Sequence, residues 1–95
     1  MTQQYLAGEL SVLLARLQAV VTNQVAVGDV AQLRRAVETG PVTALPFMVV
    51  RALALTDGLC WDSLEQGDTA AFTCQAAICA ELRDFGVCAR LLEER

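Results

Sequence analysis

Leucines and valines recur along the first quarter of the chain at steps of three and four. Leu6, Leu10, Leu13, Leu17 and Val20 form one stripe, which Leu14, Val21 and Val25 widen. This is the period of an amphipathic helix, because residues three and four apart share a face. The pattern predicts a first helix over roughly 3–25. Gly28-Asp29 then offers a stop and a start in two residues. Glycine tolerates the left-handed conformation past a helix end, and aspartate can accept from the unpaired N–H groups of the next turn. A short second helix is expected over 30–39, with Val30, Leu33 and Val37 facing inward. Gly40-Pro41 ends it, since proline cannot continue the hydrogen-bond ladder.

Thr43 is placed to cap a third helix whose first turn contains Pro46, where a missing N–H costs nothing. This helix is expected to reach about residue 66. Leu45, Phe47, Met48, Val49, Val50, Leu53, Leu55, Leu59, Cys60, Trp61 and Leu64 leave it only a narrow polar strip, which predicts burial on nearly every side. Gly67-Asp68 repeats the earlier turn device and opens a fourth helix over about 69–85. Ala70, Ala71, Cys74, Ala76, Ala77, Cys79 and Ala80 would let a neighbouring backbone approach it closely. Gly86 is expected to break or kink this helix, leaving a short helical segment over 87–95. The two Gly-Asp pairs stand 39 residues apart with similar surroundings, as in a weak internal repeat of helix, turn, helix.

These elements compose an all-α fold, a small four- to five-helix bundle made of two αα-hairpins in a single domain over residues 1–95. Of these residues 55% are hydrophobic and 19% charged, against about 45–50% and 25% in ordinary globular chains. A small domain has more surface per residue than a large one and should be the more polar of the two. The apolar excess therefore predicts a face that another chain covers, in a homo-oligomer such as a dimer or on a different protein partner.

Charge and length remove other classes of partner. The net charge is −4 and the only adjacent cations are Arg34 and Arg35, whereas a phosphate backbone demands clustered positive charge. Nucleic acid is not expected. All seven basic residues are arginine, the usage of a GC-rich genome. The longest apolar run, 44–55, contains Pro46 and Arg51 and falls well short of the ~20 residues that span a bilayer. The first residues lack a basic stretch and meet Glu9 early, unlike a secretory signal. A cytoplasmic protein is expected.

The residue inventory narrows the chemistry further. There is no histidine and no lysine, which removes Ser-His-Asp and Cys-His pairs, imidazole-ligated metals, the phosphate-loop lysine and Schiff bases. No C-x-x-C pair occurs among Cys60, Cys74, Cys79 and Cys88, so neither a metal nor a cofactor is expected. Cys60 and Cys74 lie seven residues either side of Gly67, at similar heights in an antiparallel hairpin. They form a candidate redox pair, against the plainer reading of small apolar fillers. Asp57 and Asp62 are five residues apart, about 140° around a helix, so they do not converge as an acid–base pair.

Phe47, Met48, Arg51, Gly58, Trp61 and Phe72 are the candidate interface or pocket residues. Gly58 in a helix interior costs about 1 kcal/mol relative to alanine and needs a compensating reason. A close crossing with helix 4 would supply one, and room for a ligand beside Trp61 another. Arg51 interrupts the most apolar stretch, where its stem can lie along apolar surface with the head in water. The whole predicts a non-enzymatic helical interaction module or small subunit, docking through apolar faces of helices 1 and 3. The alternative is a module that binds an apolar small molecule between helices 3 and 4, against Phe47, Met48, Trp61 and Phe72.

Overall fold

The structure, a computed structural model, describes residues 2–21 and 23–90. Among these residues four α-helices follow one another: α1 (Thr2–Ala19), α2 (Gln24–Thr39), α3 (Leu45–Glu65) and α4 (Thr69–Cys88), with a 3₁₀ turn, Val42–Ala44, leading into α3. Among the described residues there is no strand, and the chain is a small all-α bundle. The helices pair as two hairpins, α1 with α2 and α3 with α4. The hairpins then meet along α1 against α4 and along α2 against α3.

One core lies between them. Leu10, Leu14 and Leu17 of α1, Val30 of α2, Val49 and Ala52 of α3 and Leu82 of α4 are wholly buried. Burying each of the leucines and valines fully contributes about 1.5–3 kcal/mol relative to exposure, so these positions hold the hairpins together. Val30, Leu33 and Val37 face inward, as their spacing predicts. Polar ties add direction. Arg16 makes a two-pronged pair with Glu81, both contacts at 2.7 Å, joining α1 to α4. Gln75 of α4, only 3% exposed, accepts from the Ser63 hydroxyl at 2.7 Å and donates to the Val20 carbonyl at 3.3 Å. Within the first hairpin, Ser11 donates to Glu38 at 2.6 Å and accepts from Arg34 at 3.4 Å.

The first turn differs from the expectation. Gly28-Asp29 is not a turn but lies inside α2, which starts at Gln24. The cap is Asn23, whose side chain accepts from the N–H groups of Val25 at 2.8 Å and Ala26 at 3.2 Å. Val25 accordingly leaves the α1 stripe and stands three-quarters exposed in the first turn of α2. The 39-residue repeat loses its first turn with this change. The second Gly-Asp pair is where it was expected: Gly67 takes φ +74, and Asp68 accepts from Ala71 N–H at 3.1 Å.

The α2–α3 connection also follows the sequence in part. Gly40 caps α2 by donating to the Ala36 carbonyl at 2.8 Å, and a Cβ there would lie 2.5 Å from that oxygen. Pro46 sits in the first turn of α3, but Thr43 makes no cap, the cap position being Ala44 with no side-chain bond. At the far end Gly86 is buried inside α4 rather than breaking it. The helix runs on to Cys88, and Arg90, at φ 60, adopts the left-handed conformation that ends it. The rest of the expected fifth segment, 91–95, lies outside the described residues.

Candidate functional site

α3 carries two seams on opposite sides. Leu45, Val49, Ala52, Thr56, Leu59 and Ser63, spaced by four and three, are its buried residues. Phe47, Val50, Ala54, Asp57, Trp61 and Leu64, spaced by three and four, are all exposed. Each set repeats every 3.5 residues, the period of a helix that packs lengthwise on another helix. The expectation that α3 is buried on nearly every side is therefore wrong. Its second seam faces out, with Phe47 and Trp61 each 61% exposed, Val50 53% and Leu64 47%.

The other large apolar groups on the surface do not form a comparable face. Tyr5 and Val12 of α1 are exposed, but charged Glu9 and Arg16 occupy the same side of that helix. Tyr5 donates to Glu9 at 3.3 Å and Arg16 is engaged with Glu81. Leu10, Leu14 and Leu17 of α1 are spent on the core, and among the described residues α3 carries four of the exposed large apolar side chains on one face.

The candidate residues divide between two places. Phe47, Met48 and Arg51 line a groove of about 420 Å³ between α2 and α3, opposite Leu33, Ala36 and Asp29. A second hollow of about 280 Å³ continues it toward Gly58 and Asp62 and shares Asp29 and Leu55. Trp61 is fourteen residues from Phe47, about 21 Å along the helix axis, so these two cannot wall one pocket. Phe72, half-buried on α4, is not part of the groove either. Both of these hollows lie on the α2 side of α3.

No family model, curated protein or solved structure matches this chain. What the face can do rests on its own residues. Gly58 is exposed, and a Cβ built there meets nothing within 4 Å, so no crossing with α4 requires it. The small residues of α4 are divided in the same way: Ala71, Ala76 and Cys79 are half-buried, whereas Ala70, Cys74, Ala77 and Ala80 face solvent. Arg51 is exposed, with its guanidinium 6.0 Å from the centre of the Phe47 ring, within reach of a cation–π attraction. It is the single cation of α3, while Asp57, Asp62 and Glu65 gather in the C-terminal half.

Among the described residues the cysteines and carboxylates do not gather at one point. All four cysteines are free, Cys60 and Cys79 half-buried and Cys74 and Cys88 exposed. Burial first, then the nearby Cys79 and Asp57, push the Cys60 thiol up, the opposite of what activates a nucleophilic thiolate. The thiol that bears on Cys60 is Cys79 rather than the expected Cys74, which occupies a position about 140° around α4 from Cys79. Asp57 and Asp62 are both exposed, on different flanks of α3. Among the described residues no three metal-ligating side chains come together, and no helix is long and apolar enough to cross a membrane. The core polar groups are satisfied locally: Thr56, wholly buried, donates to the Ala52 carbonyl at 2.7 Å.

The outward seam is legible in sequence only as a spacing. Phe47, Val50, Ala54, Asp57, Trp61 and Leu64 obey a strict three-four alternation, but Met48, Leu53, Leu55 and Cys60 fill the intervals between the two seams and hide both. Splitting a continuous apolar helix into two half-turn-opposed seams is the signal that was available.

Proposed function

We propose that this chain is a non-enzymatic helical interaction module, a small subunit that packs the outward seam of α3 lengthwise against a helix of a protein partner. One observation carries this reading: four large apolar side chains share one exposed, heptad-spaced face on a helix whose opposite face is core. Water-exposed apolar surface of this size is costly to leave open. The lack of histidine and lysine supports the non-enzymatic part. The test is affinity purification of the tagged full chain beside two surface variants. Proteins or further copies of the chain that co-purify with the wild type should be lost from Phe47→Asp/Trp61→Asp and retained by Tyr5→Asp/Val12→Asp. Co-purification that ignores the α3 face and depends on α1 would refute the reading.

The groove between α2 and α3 favours a second reading, capture of a small apolar molecule. Its volume, about 420 Å³, falls in the range of small-ligand sites. Met48 lines it and Trp61 does not, so the decisive readout is the Met48 methyl resonance. A panel of apolar compounds that leaves this resonance unmoved would remove the second reading.

A further inference from the structure

Resting on the reading of the α3 face as an interface, we propose that its occupant is α3 of a second copy of this chain, packed antiparallel about a two-fold axis near residues 55–56. Three observations on the face converge on this partner. The first is the spacing of the seam, which is symmetric end to end. Setting Phe47 against Leu64 of the second copy sets Val50 against its Trp61 and Ala54 against its Asp57. Every large apolar residue then meets a large apolar residue, and the interface is the same patch on both chains, as a two-fold requires. Asp57 is the one charged residue in the seam, and a single polar position of this kind fixes register.

The second observation is charge. Arg51 is the single cation of α3 and sits in its N-terminal half, while Asp57, Asp62 and Glu65 occupy the C-terminal half. Antiparallel pairing brings each Arg51 within about one and a half turns of all three carboxylates of the other copy. Parallel pairing stacks Arg51 on Arg51 and carboxylate on carboxylate. The helix is thus complementary to its own reverse and repelled by its own copy in the same direction.

The third is Gly58. No contact among the described residues accounts for a glycine in the middle of α3, since a Cβ there meets open space. In the antiparallel pair Ala54 and Gly58 lie at the crossing, where small residues let two helix backbones approach. Gly58 also stands opposite Arg51 of the second copy, leaving its guanidinium a path to Asp62 and Glu65. The large seam residues alone leave about 400 Å² exposed per chain. That is about half of what each partner buries in a standard interface, and the flanking Arg51, Leu55, Gly58 and Glu65 extend it.

The test is sedimentation equilibrium of the full chain over a concentration series, with helical content checked by circular dichroism, as every substituted residue is on the surface. The wild type is expected to form a two-chain species. Trp61→Ala, at a hot-spot position, should weaken it by about 30-fold or more. Arg51→Glu alone and Asp62→Arg/Glu65→Arg alone should both be monomeric. An equimolar mixture of these two variants should restore a two-chain species, because each new charge then faces its opposite. A wild type that stays monomeric throughout overturns the self-pairing and leaves the α3 face to a different protein. A dimer that survives Phe47→Asp/Trp61→Asp overturns both the self-pairing and the reading of the face. A dimer dependent on the face but not restored by mixing the charge variants overturns the antiparallel arrangement.

Discussion

Gln75 is the buried polar residue that joins the second hairpin to the end of α1, and replacing it with methionine tests how much that junction is worth. Methionine keeps the length of the side chain and removes both hydrogen-bonding ends. The Ser63 hydroxyl, which donates to Gln75 at 2.7 Å, and the Val20 carbonyl, which accepts from it at 3.3 Å, both lose their partner. Ser63 is itself 7% exposed, so water does not readily replace the lost bond. A buried polar group left unpaired costs about 1–3 kcal/mol, and the longer contact to Val20 adds less. Gln75→Met should therefore lose about 1.5–3 kcal/mol, which for a domain of this size lowers Tm by roughly 6–24 °C. Ser63→Ala strands the amide oxygen and should cost about 1–3 kcal/mol by the same argument.

The double variant, Ser63→Ala/Gln75→Met, distinguishes this from ordinary packing damage. With both partners apolar no group between α3 and α4 is stranded, and the loss should shrink to about that of one net hydrogen bond, 0.5–1.5 kcal/mol. Urea unfolding of the four proteins at one protein concentration, followed by far-ultraviolet circular dichroism, gives the cycle directly. From these losses a coupling of about 2–3 kcal/mol is expected. If the single losses simply add, to within about 0.5 kcal/mol, the hydroxyl and the amide do not depend on each other and the reasoning fails.

Other consequences are simpler to measure. Asn23→Ala should destabilise by about 1 kcal/mol through loss of the α2 cap while Asp29→Ala changes little; the reverse order in thermal melts would restore the turn at Gly28-Asp29. Gly28→Ala, in open space inside α2, should stabilise by about 0.5–1 kcal/mol, whereas Gly40→Ala, whose Cβ would meet the Ala36 carbonyl at 2.5 Å, should destabilise by about 1–3 kcal/mol. The Arg16 guanidinium, by hydrogen bonding, holds the Glu81 carboxyl below its ordinary 4.5. A depressed carboxyl pKa contributes stability that is complete above the unfolded value and lost as the pH falls through the folded one. Acid should therefore destabilise the wild type more steeply than Arg16→Gln from about 4.5 downward, with the difference fading in high salt because the pair is exposed; superimposable acid limbs would contradict this. Under a thiol reagent Cys74 and Cys88 should react first and Cys60 last, since burial pushes its thiol up; early loss of the Cys60 thiol by mass spectrometry would count against its placement.

The parts of the fold that sequence announced and the parts it concealed differ for physical reasons. Gly67-Asp68 reads correctly because a left-handed residue followed by a capping carboxylate has few other uses. Gly28-Asp29 has the same letters inside a helix, where an exposed glycine is merely tolerated. Asn23, the residue that starts α2, was masked because Val20, Val21 and Val25 carry the apolar period of α1 across the turn. Gly86 resembles a helix breaker in sequence, although the absence of a side chain also suits a buried helix position. At the candidate site, Phe47, Met48 and Arg51 line one groove and Trp61 stands apart from them, because composition alone does not register distance along an axis. The apolar excess predicts uncovered apolar surface, and the two seams of α3 show on which side of that helix it lies.

The distribution of packing also orders events in time. Most helix contacts fall within α1–α2 and within α3–α4, between segments joined by a few residues. Contacts close in sequence carry a small loop-closure penalty, and bundles dominated by them fold in microseconds to milliseconds. Arg16–Glu81 and Gln75–Val20 span 65 and 55 residues of sequence and can form only once two separate hairpins meet. This implies a chain whose two hairpins form locally and dock late, with the ties between them among the contacts made last.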